Sequence, residues 1–186
     1  MLEKETQPTY KGDLSEDLPK LSNQGLKKNK YLKLALIGGL IIIFDQLTKI
    51  VILNSLPLYE SVTAIPGFFN ITHIHNSGGA FGIFADQSLI LRKILFLFVS
   101  SFAVGFVIYF YSKTPKTHPL LATAFALIFG GAIGNLIDRI RLGKVIDFLD
   151  FYIGNWHWPA FNVADSAISV GIAIFLFHIL LDKIPE

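Results

Sequence analysis

The sequence predicts an all-α membrane protein with four transmembrane helices. Three observations carry this: four long apolar runs, few charges, and lysines gathered on alternate connections between those runs. Of the 186 residues, 52% are hydrophobic and 16% charged, far from the balance of an ordinary soluble domain. A net charge of +2 without a basic stripe excludes a nucleic-acid partner, because such a protein must neutralise several phosphates. With no cysteine in the chain, disulfides, thiolate metal sites and a cysteine nucleophile are excluded as well.

Residues 1–30 mix Pro, Ser, Asn, Gln and charges of both signs, and the composition predicts a disordered tail. The first span covers 31–53, since about 20 apolar residues cross the hydrocarbon layer as a helix. A cleaved signal peptide fits poorly, because the polar stretch ahead is long and no small-residue cleavage site follows Asn54. Residues 67–76 (GFFNITHIHN) are aromatic and β-branched and run into Ser77-Gly78-Gly79, which predicts a strand leading to a turn and a small outer sheet. The remaining spans cover 89–111, 120–137 and 164–181. Between the last two, residues 145–158 mix aromatics with Asp147, Asp150 and His157, as expected of a segment lying in the membrane interface.

Four spans place both termini on one side. Lys27, Lys28, Lys30, Lys33, Lys113, Lys116 and Lys183 share that side, which the positive-inside rule marks as cytoplasmic, together with the short end at 182–186. Arg92, Lys93, Arg139, Arg141 and Lys144 are exceptions that snorkel or meet anionic groups at the interface.

Within or at the ends of the spans stand Asp45, Lys49, Asn135, Asp138, Arg139 and Asp165. Each ionisable group there costs roughly 2.5 kcal/mol or more. Asp45 and Lys49 sit four apart on one helix face, a spacing that suits a buried pair fixing helix packing. Asn135, Asp138 and Arg139 follow Gly130, Gly131 and Gly134 and serve equally as interhelical glue or as contacts to an extended peptide. Asn162 and Asp165 have a spacing close to a capping box. The 138–163 connection must also bring Asp138, Asp147 and Asp165 to one membrane level. Two carboxyls close together in a low dielectric share a proton, which yields one acid and one base able to activate water without a metal or cofactor. The positive end of the fourth span favours an ionised Asp165 as base, although a coupled titration belongs to the pair.

From the residues alone, a proton-coupled transporter and a structural scaffold remain open, although four spans lack the inverted repeat of many transporters. A Ser/Lys hydrolase built on Ser77 or Ser166 with Lys49 has no spacing that ensures contact. His73 and His75 share a strand face but lack a third ligand of suitable spacing for catalytic zinc. Trp156 and Trp158 read as interface anchors that can also brace an acyl chain.

Five motifs occur in order: Asp45-Gln46-Leu47-Thr48-Lys49, Asn76-Ser77-Gly78-Gly79-Ala80-Phe81, Gly134-Asn135-Leu136-Ile137-Asp138-Arg139, Val145-Ile146-Asp147-Phe148 and Phe161-Asn162-Val163-Ala164-Asp165-Ser166. Together they resemble the bacterial signal peptidase II (lipoprotein signal peptidase) family over residues 31–181. The resemblance implies an aspartyl endopeptidase of the bacterial cytoplasmic (inner) membrane. It would cut a diacylglyceryl-modified prolipoprotein before its lipidated cysteine, among membrane lipids and near the outer face, and be inhibited by globomycin. It further implies Asp147 and Asp165 as the catalytic dyad, with Asp45, Lys49, Asn76, Gly78, Asn135, Asp138, Arg139, Asn162 and Ala164 shaping or lining the site. The fold it implies adds a small outer β-cradle and an interfacial amphipathic helix, set against 67–76 and 145–158.

Overall fold

In hydrocarbon, backbone N–H and C=O groups must be satisfied within the segment that carries them, so long apolar runs become helices. The computed structural model describes residues 18–77 and 88–182, with side chains for 30–77, 88 and 90–181. Helix α1 is Leu18–Ser55, α2 Leu89–Lys113, α3 Pro119–Leu142 and α4 Val163–Asp182. Among the described residues, four stretches are long and apolar enough to cross a bilayer: Lys30–Ser55, Ile90–Lys113, Pro119–Leu142 and Val163–Leu181. Ser88 caps α2 by accepting from the Leu91 N–H at 3.3 Å. Pro119 opens α3, where its missing N–H costs nothing. Beyond the expected end at 137, α3 continues until Gly143, whose φ of 73° forms a left-handed cap.

One boundary differs more. Residues 18–30, expected in the disordered tail, belong to α1. Leu, Lys and Gln are good helix formers, and extending a helix already nucleated by the span avoids a second nucleation cost.

Helix α3 is the centre of the bundle. It packs along α1, α2 and α4, whereas α2 runs close to α3 alone and meets α1 only through side chains at its end, where Tyr111 lies against Tyr31 and donates to the Lys30 carbonyl. Its glycines make the approach possible: a Cβ on Gly130 would stand 2.9 Å from the Gly38 carbonyl oxygen of α1. A Cβ on Gly131 would overlap the Ala164 carbonyl oxygen and lie 3.1 Å from its carbon. Gly131→Ala is therefore expected to force α4 away from α3 at a cost of roughly 1–3 kcal/mol. Gly105→Ala, with open space around the added methyl, should leave thermal unfolding nearly unchanged. Equal melting of the two variants would contradict this packing. Leu40, Phe98, Phe102 and Leu180 are more than 60% exposed on the outside of the bundle, as suits lipid-facing positions.

The four strands β1 (Ser61–Ile65), β2 (Phe69–Asn76), β3 (Val145–Ile153) and β4 (Trp156–His157) form an antiparallel sheet in that order. The expected strand at 67–76 is β2, with Gly67 in the turn before it at a φ of 79°. Segment 145–158 is corrected: it carries no interfacial helix, and its first nine residues form β3. Its β-branched and aromatic side chains suit a pleated ladder, and pairing Ile74 with Asp147 and Asn76 with Val145 satisfies its backbone across a separation the local sequence does not display. Ile52, Ile146 and Phe148 form a small core between α1 and the sheet.

Candidate active site

The connection between β3 and α4 is short and closely tied. Phe148 and Leu149 donate their N–H groups to the Phe161 carbonyl at 2.9 and 2.8 Å, and Phe161 returns its N–H to Leu149 at 3.1 Å. Asn162, immediately after this clasp, is held against β3 while α4 starts at the next residue. Asp147 and Asp165 are thereby placed on either side of one amide.

Asn162 is the bridge. Its Nδ2 donates to Asp147 Oδ1 at 2.7 Å, and its Oδ1 accepts from the Asp165 N–H at 2.9 Å. Asp165 Oδ2 accepts from the Asn162 N–H at 3.3 Å, which completes a reciprocal capping box of the spacing read in the sequence. The other oxygens are also fixed. Asn135 Nδ2 donates to Asp165 Oδ1 at 2.7 Å, and Asn76 Nδ2 donates from β2 to Asp147 Oδ2 at 3.0 Å. Asp147 is 2% exposed, and burial pushes its carboxyl up to about 6. The Asn76 and Asn162 hydrogen bonds oppose that rise, and the neighbouring Asp165 charge adds to it.

Behind the two acids lies a buried charge cluster. The expected Asp45–Lys49 pair is present at 2.9 Å, but Asp138 stands equally close to the ammonium at 2.8 Å. Asn135 Oδ1 accepts from Lys49 at 3.0 Å, so all three ammonium donors have acceptors. The surplus negative charge is met by dipoles. Gln46 Nε2 donates to Asp45 Oδ2 at 3.1 Å and to Asp138 Oδ1 at 3.0 Å, while the Ile146 N–H donates to Asp138 Oδ2 at 3.3 Å. The Ala164 N–H, in the first turn of α4, donates to Asp45 Oδ1 at 2.9 Å. Asn135 joins both groups, since the oxygen that accepts from Lys49 also accepts from Asn162 at 3.2 Å.

A model of the signal peptidase (SPase) II family matches residues 37–181. The chain belongs to the signal peptidase II family. It is thus a multi-pass membrane peptidase. The lipoprotein signal peptidase of Desulforapulum autotrophicum is 52% identical over 154 residues, covering 83% of this chain and 95% of that one. That of Geobacter sulfurreducens is 47% identical over 147 residues, covering 79% and 89%. A bacterial membrane enzyme solved by the in meso method at 2.3 Å resolution superposes with a TM-score of 0.72 at 33% identity, covering 82% of this chain and 93% of that one.

In this signal peptidase II chain, Asp45, Lys49, Asn135, Asp138, Asn162 and Ala164 meet in one polar network with Asp147 and Asp165, and Asn76 reaches it from the sheet. Ala164 takes part through its backbone N–H alone. Arg139 is half-buried, with the Asp165, Asp147 and Asp138 charges as its electrostatic neighbours, and its Nη1 donates to the Asn135 carbonyl at 3.4 Å. Gly78 lies outside the described residues. Sequence reasoning missed Gln46, although an amide inside an apolar span was itself a signal. His73 and His75 instead serve the sheet: their Nε2 atoms are 3.1 Å apart, and His73 Nδ1 donates to the Leu56 carbonyl at 2.7 Å.

Proposed function

We propose that the chain removes signal peptides from diacylglyceryl-modified prolipoproteins, cutting before the lipidated cysteine, with Asp147 and Asp165 activating water. The observation that carries this reading is two half-buried to buried carboxyls oriented by one amide and by two further amide donors, while the other buried acids, Asp45 and Asp138, are occupied by Lys49. A lone structural acid does not require a second one held on both oxygens beside it.

In the proposed reaction Asp165, at the positive end of α4, is the ionised base that takes a proton from water. Asp147, more deeply buried, holds the shared proton and donates a hydrogen bond to the scissile carbonyl oxygen as negative charge develops there. The proton then passes to the leaving amine, and Asn162 keeps both carboxyls in register throughout. Arg139 and Asn135 bind the substrate backbone, and globomycin-type cyclic peptides compete for the same cleft. Both termini face the cytoplasm and the dyad lies toward the outer face, a reading supported by the lysine distribution.

A pH profile follows. Because burial raises Asp147 to about 6, the protonated form needed for catalysis is lost as pH rises through that value, and kcat/KM of the free enzyme should fall on the alkaline side. Asn76 stabilises the charged carboxylate, so Asn76→Ala raises the Asp147 value further and should move that limb to higher pH. A limb that stays put, or moves down, contradicts the assignment.

The function is tested by incubating the purified protein with a prolipoprotein carrying the diacylglyceryl group and with its unmodified form, then determining product masses. Cutting of the lipidated form alone, immediately before the modified cysteine, is expected. Cutting elsewhere, or equally of both forms, contradicts the proposal.

A further inference from the structure

We propose that the ends of α2 and α3 nearest the sheet bind the phosphodiester headgroup of an acidic phospholipid through Arg92, Lys93 and Lys144. The inference is independent of the peptidase mechanism, because none of these residues belongs to the polar network described above.

A cavity of about 310 Å³ is lined by Ser77, Arg92, Lys93, Leu142, Gly143 and Lys144. Three cations converge there, and no carboxylate lies within ion-pair distance of any of them among the described residues. Arg92 Nε is buried and has no hydrogen-bond partner. A guanidinium N–H shut off from water without an acceptor is costly, and the missing acceptor is most simply an anionic oxygen. Gly143 at φ 73° lets the chain turn tightly enough for the Lys93 stem to lie across it, with Cδ 3.7 Å from where a Cβ would stand.

The lysines at the opposite end of the bundle differ. Lys30 Nζ donates to the carbonyls of Ser112 and Thr114 at 3.1 and 2.6 Å, and Lys33 Nζ donates to that of Pro119 at 2.7 Å. Lys30 thus caps the C-terminal end of α2 and Lys33 rests on a first-turn carbonyl of α3, whereas among the described residues no such acceptor meets the three cations near the sheet.

Position selects a lipid over a soluble anion. The cavity sits where the α2 span begins and the α3 span ends, at the level expected for headgroup phosphates. Ile90, Ile94 and Ile140 are 73%, 60% and 60% exposed on the same terminal turns, an apolar surface that acyl chains of the same molecule would cover. An Arg fork and two ammonium groups suit the charged oxygens of a phosphodiester.

The test uses the full chain in lipid nanodiscs of phosphatidylcholine, with spin-labelled phosphatidylglycerol or spin-labelled phosphatidylcholine as probe. The motionally restricted fraction of each label gives the preference for the acidic lipid. Wild type should prefer phosphatidylglycerol, and Lys93→Gln/Lys144→Gln should lower that preference by roughly fivefold per cation removed, with Arg92→Gln adding to the loss. Lys30→Gln/Lys116→Gln should change it far less. Should the double variant melt early, Lys93→Gln alone, at an exposed position, gives the same readout. An unchanged preference in folded variants lacking these cations overturns the proposal, as does a loss confined to Lys30→Gln/Lys116→Gln. Displacement of the label by inorganic phosphate, but not by chloride of equal ionic strength, would assign the site to a soluble anion and overturn the lipid as occupant.

Discussion

Lys49→Met is expected to destabilise the protein by roughly 3–5 kcal/mol, because it strands two carboxylates buried inside the bundle. Asp45 and Asp138 are 0% and 1% exposed, and each lies within 3 Å of the Lys49 ammonium. Without that charge the two acids repel one another, and one must take up a proton to remain buried. The loss should therefore be smaller at low pH. Changing Asp45 and Asp138 to Asn as well removes the stranded charge, so the triple variant should recover much of the lost stability. Thermal unfolding across a pH series checks this. A single variant that melts within a few tenths of a kcal/mol of wild type would mean that the cluster does not hold the bundle together.

That cluster also shows what the sequence could and could not convey. Asp45 and Lys49 were legible as a pair because helical periodicity puts positions four apart on one face. Asp138 as the third member was not, since it comes from another helix and its approach depends on Gly134, where a Cβ would stand 2.6 Å from Asp45 Oδ2. The capping box at Asn162 and Asp165 was visible for the same local reason as the pair. The contact from Asn162 to Asp147 was not, because it depends on the Phe161–Leu149 clasp across a turn. Spans were legible from hydropathy to within a few residues. Strand β3 was misread as interfacial helix, since aromatics mixed with acids suit either setting and only the ladder to β2 distinguishes them. The helical start of α1 at Leu18 was missed because composition describes a segment in isolation, not one continuing from a helix already formed.

Asp147→Asn and Asp165→Asn are each expected to lower kcat/KM by about 10²–10⁴-fold or more, the range for loss of a general acid or base. The double variant should be little worse than the poorer single one, because in the proposed reaction the two carboxyls act as a unit. Stability should behave differently from activity. Asn at 147 is nearly isosteric, but its NH2 must face one of the two amide donors, Asn76 or Asn162, so a loss of about 1 kcal/mol is expected. Asn at 165 keeps one oxygen to accept from Asn162 N–H or from Asn135, and loses about 1 kcal/mol. A purely structural role for the acids predicts the reverse, with activity lost only in proportion to stability.

The most direct measurement is cleavage of a diacylglyceryl-modified prolipoprotein by wild type, Asp147→Asn and Asp165→Asn side by side, with thermal unfolding recorded on the same preparations. The account predicts that both variants fold and neither cuts. Either variant cutting at the wild-type rate, or inactivity that appears only where the protein has unfolded, would contradict it.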